Sequence, residues 1–193
     1  MKTTEQITKE DKTFLLDMSR KALYDFFRLK SPGDIIDELK NVPAGLKQNG
    51  ATFVTFTKNG ELRGCIGKLQ AMQPIYIDII ENTYSAAFDD YRFLKLTEEE
   101  LSEIRIEISI LTPMQGFNYT DNEQLKNMLT EKKPGLYITN GLNSATFLPQ
   151  VWDDLTNVDD FLEELCLKAG LGAEFWQNNH LETFIYGVIK FSE

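Results

Sequence analysis

Thr52-Phe53-Val54-Thr55-Phe56-Thr57-Lys58-Asn59-Gly60-Glu61-Leu62-Arg63-Gly64-Cys65-Ile66-Gly67 reads as a β-hairpin whose second strand carries a thiol, a guanidinium and two glycines. Lys58-Asn59-Gly60 supplies the turn, because Asn and Gly tolerate the left-handed backbone that tight hairpins need. Two registers compete. A two-residue Asn59-Gly60 loop pairs Phe56 with Arg63 and Val54 with Cys65, which mixes polar and apolar side chains on both faces. A three-residue loop with Gly60 left-handed pairs Phe56 with Leu62 and Val54 with Gly64. That register gathers Val54, Phe56, Leu62 and Ile66 on one apolar face and sets Phe53, Thr55, Arg63 and Cys65 on the other. It is preferred because it keeps the apolar set together on the buried side. Arg63 and Cys65 then point the same way, their Cα atoms roughly 6.6 Å apart.

A thiol is a nucleophile as thiolate, and a neighbouring guanidinium favours that form. Arg63 is placed to supply it. Against this stands the ordinary behaviour of cysteine as a small buried hydrophobe. Gly64 and Gly67 mark a bulge or the close approach of a ligand. Cys166 falls among Phe161, Leu162 and Leu165 on a helix and reads as core. His180, the one histidine, sits among Asn178, Asn179 and Leu181 and reads as solvated. One histidine with two distant cysteines makes no zinc pattern. Acidic pairs such as Asp89-Asp90 and Asp153-Asp154 lack calcium-loop spacing, and no glycine-rich phosphate loop occurs. No metal or cofactor is expected. A Glu107–Arg63 pair, if buried, is expected simply to tie two strands together, whereas an exposed pair beside the thiol would belong to the catalytic set.

Working outward, Thr8 to Lys30 has apolar residues at helical spacing, with Thr8 and Asp11 as a capping pair. Ser31-Pro32-Gly33 stops it, and a short helix follows from Asp34 to Lys40. Pro74 opens a helix through Ile75 and Ile79 to about Phe88. Thr97 to Glu100 is a capping box. Arg105 to Thr112 alternates as a strand, Ile106, Ile108 and Ile110 facing one way and Arg105, Glu107, Ser109 and Leu111 the other. Asp121 to Thr130 is a helix. A second hairpin joins Leu136–Asn140 to Ser144–Leu148, a helix runs from Val158 to Ala169 with Gly170 past its end, and Thr183 to Phe191 is a final strand. Two hairpins, several helices and no β-α-β alternation imply an α+β fold with largely antiparallel sheets and packed helices. The hairpin-plus-helix pattern occurs twice, which suggests two lobes.

The chain has 193 residues, 42% of them apolar and 26% charged, enough for one good core or two lobes. Its net charge of −10 opposes phosphate backbones, so nucleic acid is an unlikely partner on charge alone. Met1–Gln6 has no apolar signal core and no run approaches a membrane span, so no membrane partner is expected. Two cysteines suit a reduced, cytoplasmic chain.

Several stretches together resemble the AMMECR-type domain family, whose prokaryotic members are called AmmeMemoRadiSam system protein A. They are Leu62-Arg63-Gly64-Cys65-Ile66-Gly67 (the LRGCIG motif), Ala86-Ala87-Phe88 through Asp90, Arg92 and Phe93, and Glu107-Ile108-Ser109-Ile110-Leu111. Thr146-Phe147-Leu148-Pro149-Gln150-Val151-Trp152 and Lys168-Ala169-Gly170-Leu171 complete the set. Family members often carry Arg-Gly before the Thr-Phe-Leu-Pro run, where this chain has Ser144-Ala145, so no role for that arginine carries over. The resemblance implies a single domain over residues 1–193 with two unequal lobes and a cleft beside Leu62–Gly67. It also implies a shared modification pathway with a Memo-like protein and a radical SAM protein. On it, Cys65, Arg63 and Glu107 are candidate catalytic residues, and Gly64, Gly67, Asp90, Arg92, Thr146 and Gln150 candidate ligand-binding residues. A cysteine-dependent enzyme acting on a small molecule or peptide is the leading expectation. A non-catalytic interaction module is the alternative, and a nucleic-acid-binding protein the weaker one.

Overall fold

The computed structural model describes residues 7–193, so the reading of Met1–Gln6 falls outside the described residues. The chain divides into two compact units, one of Met1–Thr112 with Ile189–Glu193 and one of Pro113–Val188. Both are α+β and antiparallel, with six α-helices among the described residues.

In chain order the first unit has α1 (Lys9–Phe27), α2 (Pro32–Glu38), β1 (Asn49–Gly50), β2 (Thr52–Lys58), β3 (Glu61–Gly67), β4 (Gln73–Pro74), α3 (Ile75–Phe88) and β5 (Ile104–Leu111). The second has β6 (Gln115–Phe117), α4 (Asn122–Lys132), β7 (Gly135–Thr139), β8 (Ser144–Phe147), α5 (Val158–Lys168), α6 (Phe175–Asn178) and β9 (Glu182–Tyr186). The chain ends in β10 (Val188–Ser192), which lies beside β5 in the first sheet.

Capping chemistry sets the first helices. Thr8 and Asp11 exchange hydrogen bonds at the start of α1, and Ser31 and Asp34 do the same at α2 with Pro32 in the first turn. Ser31-Pro32-Gly33 therefore starts α2 rather than stopping α1, which already ends at Phe27 before the left-handed Leu29. The first sheet has the order β10-β5-β2-β3. Val54, Phe56, Ile104, Ile106, Ile108 and Ile110 are buried and share one core with Leu15, Leu23, Ile79 and Ile80 of α1 and α3. The isoleucine alternation expected for β5 is thus the alternation of core and outer face.

The hairpin register departs from expectation. Lys58 pairs with Glu61 and Thr57 with Leu62 around a two-residue loop, but Phe56 pairs with Gly64, Thr55 with Cys65 and Val54 with Ile66. Asn59 and Gly60 both have positive φ, 53° and 85°, the backbone of a tight hairpin turn matched to strand twist. That turn alone would throw the apolar pattern out of phase. A β-bulge at Arg63 absorbs one residue and restores it, so Ile66 packs on the core while Leu62 is left exposed.

The second sheet has the order β6-β9-β7-β8. Leu136 and Ile138 pack with Leu125, Leu129, Phe161 and Leu165, and Trp152 stacks on Phe161 with ring centroids 3.8 Å apart. Gly170, at φ 74°, follows α5 as expected. The expected single strand from Thr183 to Phe191 is two strands, β9 and β10, interrupted at Gly187 and belonging to different sheets. No helix of the described residues is long and apolar enough to cross a membrane.

Candidate functional site

Cys65 lies in β3, the edge strand of the first sheet, on the face opposite the core. Its N–H and C=O point away from β2. In an antiparallel ladder that makes Thr55–Cys65 a non-hydrogen-bonded pair, the kind that brings side chains closest. The Thr55 hydroxyl donates to Cys65 Sγ at 3.1 Å, and the thiol is half-buried.

The outward backbone groups of Cys65 are both taken by one loop. Asp90, just past the end of α3, accepts the Cys65 N–H at 2.9 Å, and Arg92 Nη2 donates to the Cys65 carbonyl at 3.0 Å. Arg92 also grips Asp90 through Nη2 at 2.7 Å and Nε at 2.9 Å. The pair stands where another strand would otherwise pair, and it blocks the edge at one residue. Asp90 is buried, and the Arg92 guanidinium, helped by the Cys65 amide and against the effect of burial, holds its carboxyl at about 2.

Arg63 does not support the thiol. Its guanidinium is turned to Glu100, with Nε and Nη2 each 2.9 Å from a carboxylate oxygen, and Nη2 also reaches the Lys95 carbonyl at 3.4 Å. The bulge is the reason, because it takes Arg63 out of the alternation that would have set it beside Cys65. Arg63 keeps Glu100 at about 2. Glu100 is the acid of the Thr97 capping box, which opens a 3₁₀ turn over Glu98–Ser102. The expected Glu107–Arg63 tie is absent: Glu107 pairs with Lys190 of β10 at 2.9 Å. Glu107 is nonetheless Thr55's partner on β5, so Cys65, Thr55 and Glu107 form a row across three strands, extended by Lys190. A cavity of about 420 Å³, lined by Thr57, Asn59, Arg105 and Glu107 among others, opens at the hairpin end of this face.

Both glycines have packing reasons. A Cβ on Gly64 would lie 2.4 Å from the Ala86 carbonyl oxygen of α3, and one on Gly67 2.3 Å from the Phe53 ring. Of the expected site residues, Cys65, Asp90 and Arg92 are joined directly, Glu107 lies on the same sheet as Cys65, and Arg63 is engaged elsewhere. Thr146 and Gln150 belong to the second unit. Thr146 Oγ1 donates to the Leu136 carbonyl at 2.8 Å and lies 2.7 Å from the Tyr186 hydroxyl, while Gln150 Oε1 is buried without a hydrogen-bond partner. His180 is exposed, its ring 4.6 Å from that of Tyr119, and Cys166 is fully buried. No cluster of three metal-ligating side chains occurs among the described residues. Sequence reasoning missed Thr55 as a thiol partner and Glu100 as the acceptor of Arg63. The first was implicit in the alternation of β2, and the second in the free carboxylate of a capping box.

A profile of the AMMECR1 family matches residues 16–191. Protein LS215_2104 of Saccharolobus islandicus is 33% identical over 199 residues, covering 98% of this chain and 84% of that protein. Protein MK0488 of Methanopyrus kandleri is 32% identical over 197 residues, covering 98% and 91%. The crystal structure of the uncharacterized protein PH0010 from Pyrococcus horikoshii resembles this one with a TM-score of 0.78 at 27% identity, covering 93% of this chain and 90% of that one.

Proposed function

This chain belongs to the AMMECR1 family, and from that premise we propose that it is a cysteine-dependent enzyme of the cytosol with Cys65 as nucleophile. One observation carries the reading: a half-buried sulfur receives a hydroxyl hydrogen bond from Thr55 while both backbone groups of the same residue are clamped by Asp90 and Arg92. Packing alone asks for neither. A clamped backbone fixes the direction of attack, and a hydroxyl donor stabilises the thiolate. In the step proposed, the Cys65 sulfur adds to an electrophilic carbonyl carbon of the substrate: the S–C bond forms as the carbonyl π bond opens to an alkoxide, and the thiol proton goes to solvent, with Glu107, one strand beyond Thr55, as an orienting carboxylate. Arg92, not Arg63, is the guanidinium that reaches Cys65, through the carbonyl of that residue. A Memo-like protein and a radical SAM protein are the proposed pathway partners, on the family resemblance.

Iodoacetamide at neutral pH tests the thiol. Cys65 is expected to be alkylated in the native chain at least about 100-fold faster than Cys166, whose thiol burial pushes up. Thr55→Val should slow Cys65 severalfold. Native Cys65 that resists alkylation as Cys166 does would reject the reading.

A second reading, a non-catalytic interaction module, is favoured by the structural uses of Gly64, Asp90 and Arg92. Cys65→Ala separates the two. The module keeps its binding to a Memo-like or radical SAM partner with no loss of pathway turnover, whereas the enzyme loses turnover.

A further inference from the structure

Resting on the reading of Cys65 as a nucleophile, we infer that its substrate is a short polyhydroxylated carbonyl compound, a small aldose, whose hydroxyls occupy the cavity at the hairpin end of the first sheet. At about 420 Å³ that cavity is of small-ligand size. Its charged groups already have partners. Glu103 pairs with Lys58 at 3.0 Å, Glu107 pairs with Lys190 at 2.9 Å, and Arg105 Nη2 holds Glu193. The lining therefore calls for no counter-ion. What it presents instead are hydrogen-bonding atoms. The side chains of Thr57, Asn59 and Ser192 make no hydrogen bond among the described residues, and neither do Glu103 Oε1 and Glu107 Oε2. Two hydroxyls and an amide both donate and accept, while the carboxylate oxygens accept. A ligand hydroxyl also does both, so a run of hydroxyls satisfies this lining and an apolar ligand leaves it unpaired. The net charge of −10 and the two carboxylates disfavour a phosphorylated ligand.

Position relates the cavity to the sulfur. Thr57 and Arg105 pair across β2 and β5, on the outward face because their neighbours Phe56 and Ile106 are in the core. Cys65 shares that face and pairs with Thr55, two residues from Thr57 along β2. A lateral step of about 4.5 Å and a strand step of about 6.8 Å put the Cys65 and Thr57 Cα atoms about 8 Å apart. An extended chain of four to six carbons, about 6–9 Å long with its terminal oxygens, spans that distance. Glu107 belongs both to the cavity wall and to the row of Cys65. The carbonyl carbon at the end of such a chain is the electrophile. The sulfur adds to it and the C=O π bond opens. The thiol proton leaves to solvent, the alkoxide takes one from solvent, and the product is a hemithioacetal.

The full chain is tested with probes of four carbons. Erythritol, which cannot react, is titrated against ¹⁵N-labelled protein. The amide signals of Thr57, Asn59, Arg105 and Ser192 should shift and saturate, and a Thr57→Val, Ser192→Ala double variant should weaken that binding about tenfold or more. D-Erythrose is then compared with butanal, the same chain without hydroxyls, as a protector of Cys65 against iodoacetamide. The addition of each aldehyde to N-acetylcysteine corrects for its intrinsic reactivity. So corrected, D-erythrose should protect at about tenfold lower concentration than butanal, because a site built to bond hydroxyls rejects a chain that lacks them. The advantage should disappear in the double variant. No saturable shift with erythritol, shifts that the double variant leaves unchanged, or equal protection by butanal overturns the inference. So does tighter binding of glycolate or ethanolamine at the same signals, which would make the cavity a site for charge. A Cys65 that iodoacetamide does not alkylate overturns the nucleophile itself, and erythritol still reports on the cavity.

Discussion

The hairpin of β2 and β3 and the hairpin of β7 and β8 each end a four-stranded antiparallel sheet with an exposed edge, yet they treat that edge differently. On β8 a lysine from α5, Lys168, takes the Thr146 carbonyl at 3.0 Å, and the Thr146 hydroxyl turns inward to Leu136 and Tyr186. On β3 a carboxylate and a guanidinium take both backbone groups of Cys65, and its side chain is held by a hydroxyl from the neighbouring strand. One lysine is enough to discourage edge pairing. The two-point clamp on β3 fixes one residue more tightly than edge protection requires, and that residue is the half-buried cysteine.

The comparison breaks most visibly at the glycines. Gly64 lies against the backbone of α3, where the atom in the way is the Ala86 carbonyl oxygen and no side chain can swing aside. Gly64→Ala is expected to cost about 3 kcal/mol by urea unfolding. Gly141, in the β7–β8 turn, has open space around it but a φ of 90°. Gly141→Ala should cost only about 1 kcal/mol, from backbone strain alone. Equal losses at the two sites would mean that α3 does not hold β3 in place.

The clamp itself comes next. Asp90 and Glu100 both have carboxyls held at about 2 by an arginine, below the ordinary carboxylate range. A depressed carboxyl stabilises the fold above its unfolded pKa, so stability is present in full above about pH 4.5 and falls as pH drops toward 2. Because Arg92 is partly solvated, the Asp90 share is on the order of 1–2 kcal/mol. Asp90→Asn should lower stability at pH 7 by about that amount and flatten its decline between pH 4.5 and 2. An unchanged acid limb in both Asp90→Asn and Glu100→Gln would show that these pairs are not coupled to folding.

Much of this was legible in the sequence because it is local. Thr8 with Asp11, the isoleucines of β5, the place of the hairpin turn (though not its two-residue length) and Gly170 each act within a few residues, where periodicity and capping rules apply. The bulge was not legible, since it arises from a conflict between a two-residue turn and the packing of Ile66, and only the assembled sheet resolves it. Arg63 followed the bulge, and Lys190 reached Glu107 through a strand that returns from the far end of the chain. At Asp90 and Arg92 the family pattern marked the right residues, but the reason for them, a hold on the Cys65 backbone, exists only in three dimensions.

The β7–β8 hairpin offers the finest test of the contrast. Burial pushes the Tyr186 hydroxyl up to about 12, and its bond with Thr146 works against that rise. A phenol raised in the folded state gives stability that is complete below its unfolded value near 10 and is lost as pH climbs through 12. Thr146→Val removes the Thr146 bond but leaves the Tyr186 hydroxyl its bond to the Phe147 carbonyl at 3.1 Å. The expected loss is about 1 kcal/mol at pH 7, and in an alkaline absorbance titration the Tyr186 phenol should ionise later than in the parent chain. If Thr146 instead serves mainly to hold a ligand, as its place among the family's motif residues would allow, the substitution should leave both the stability and the phenol titration where they were.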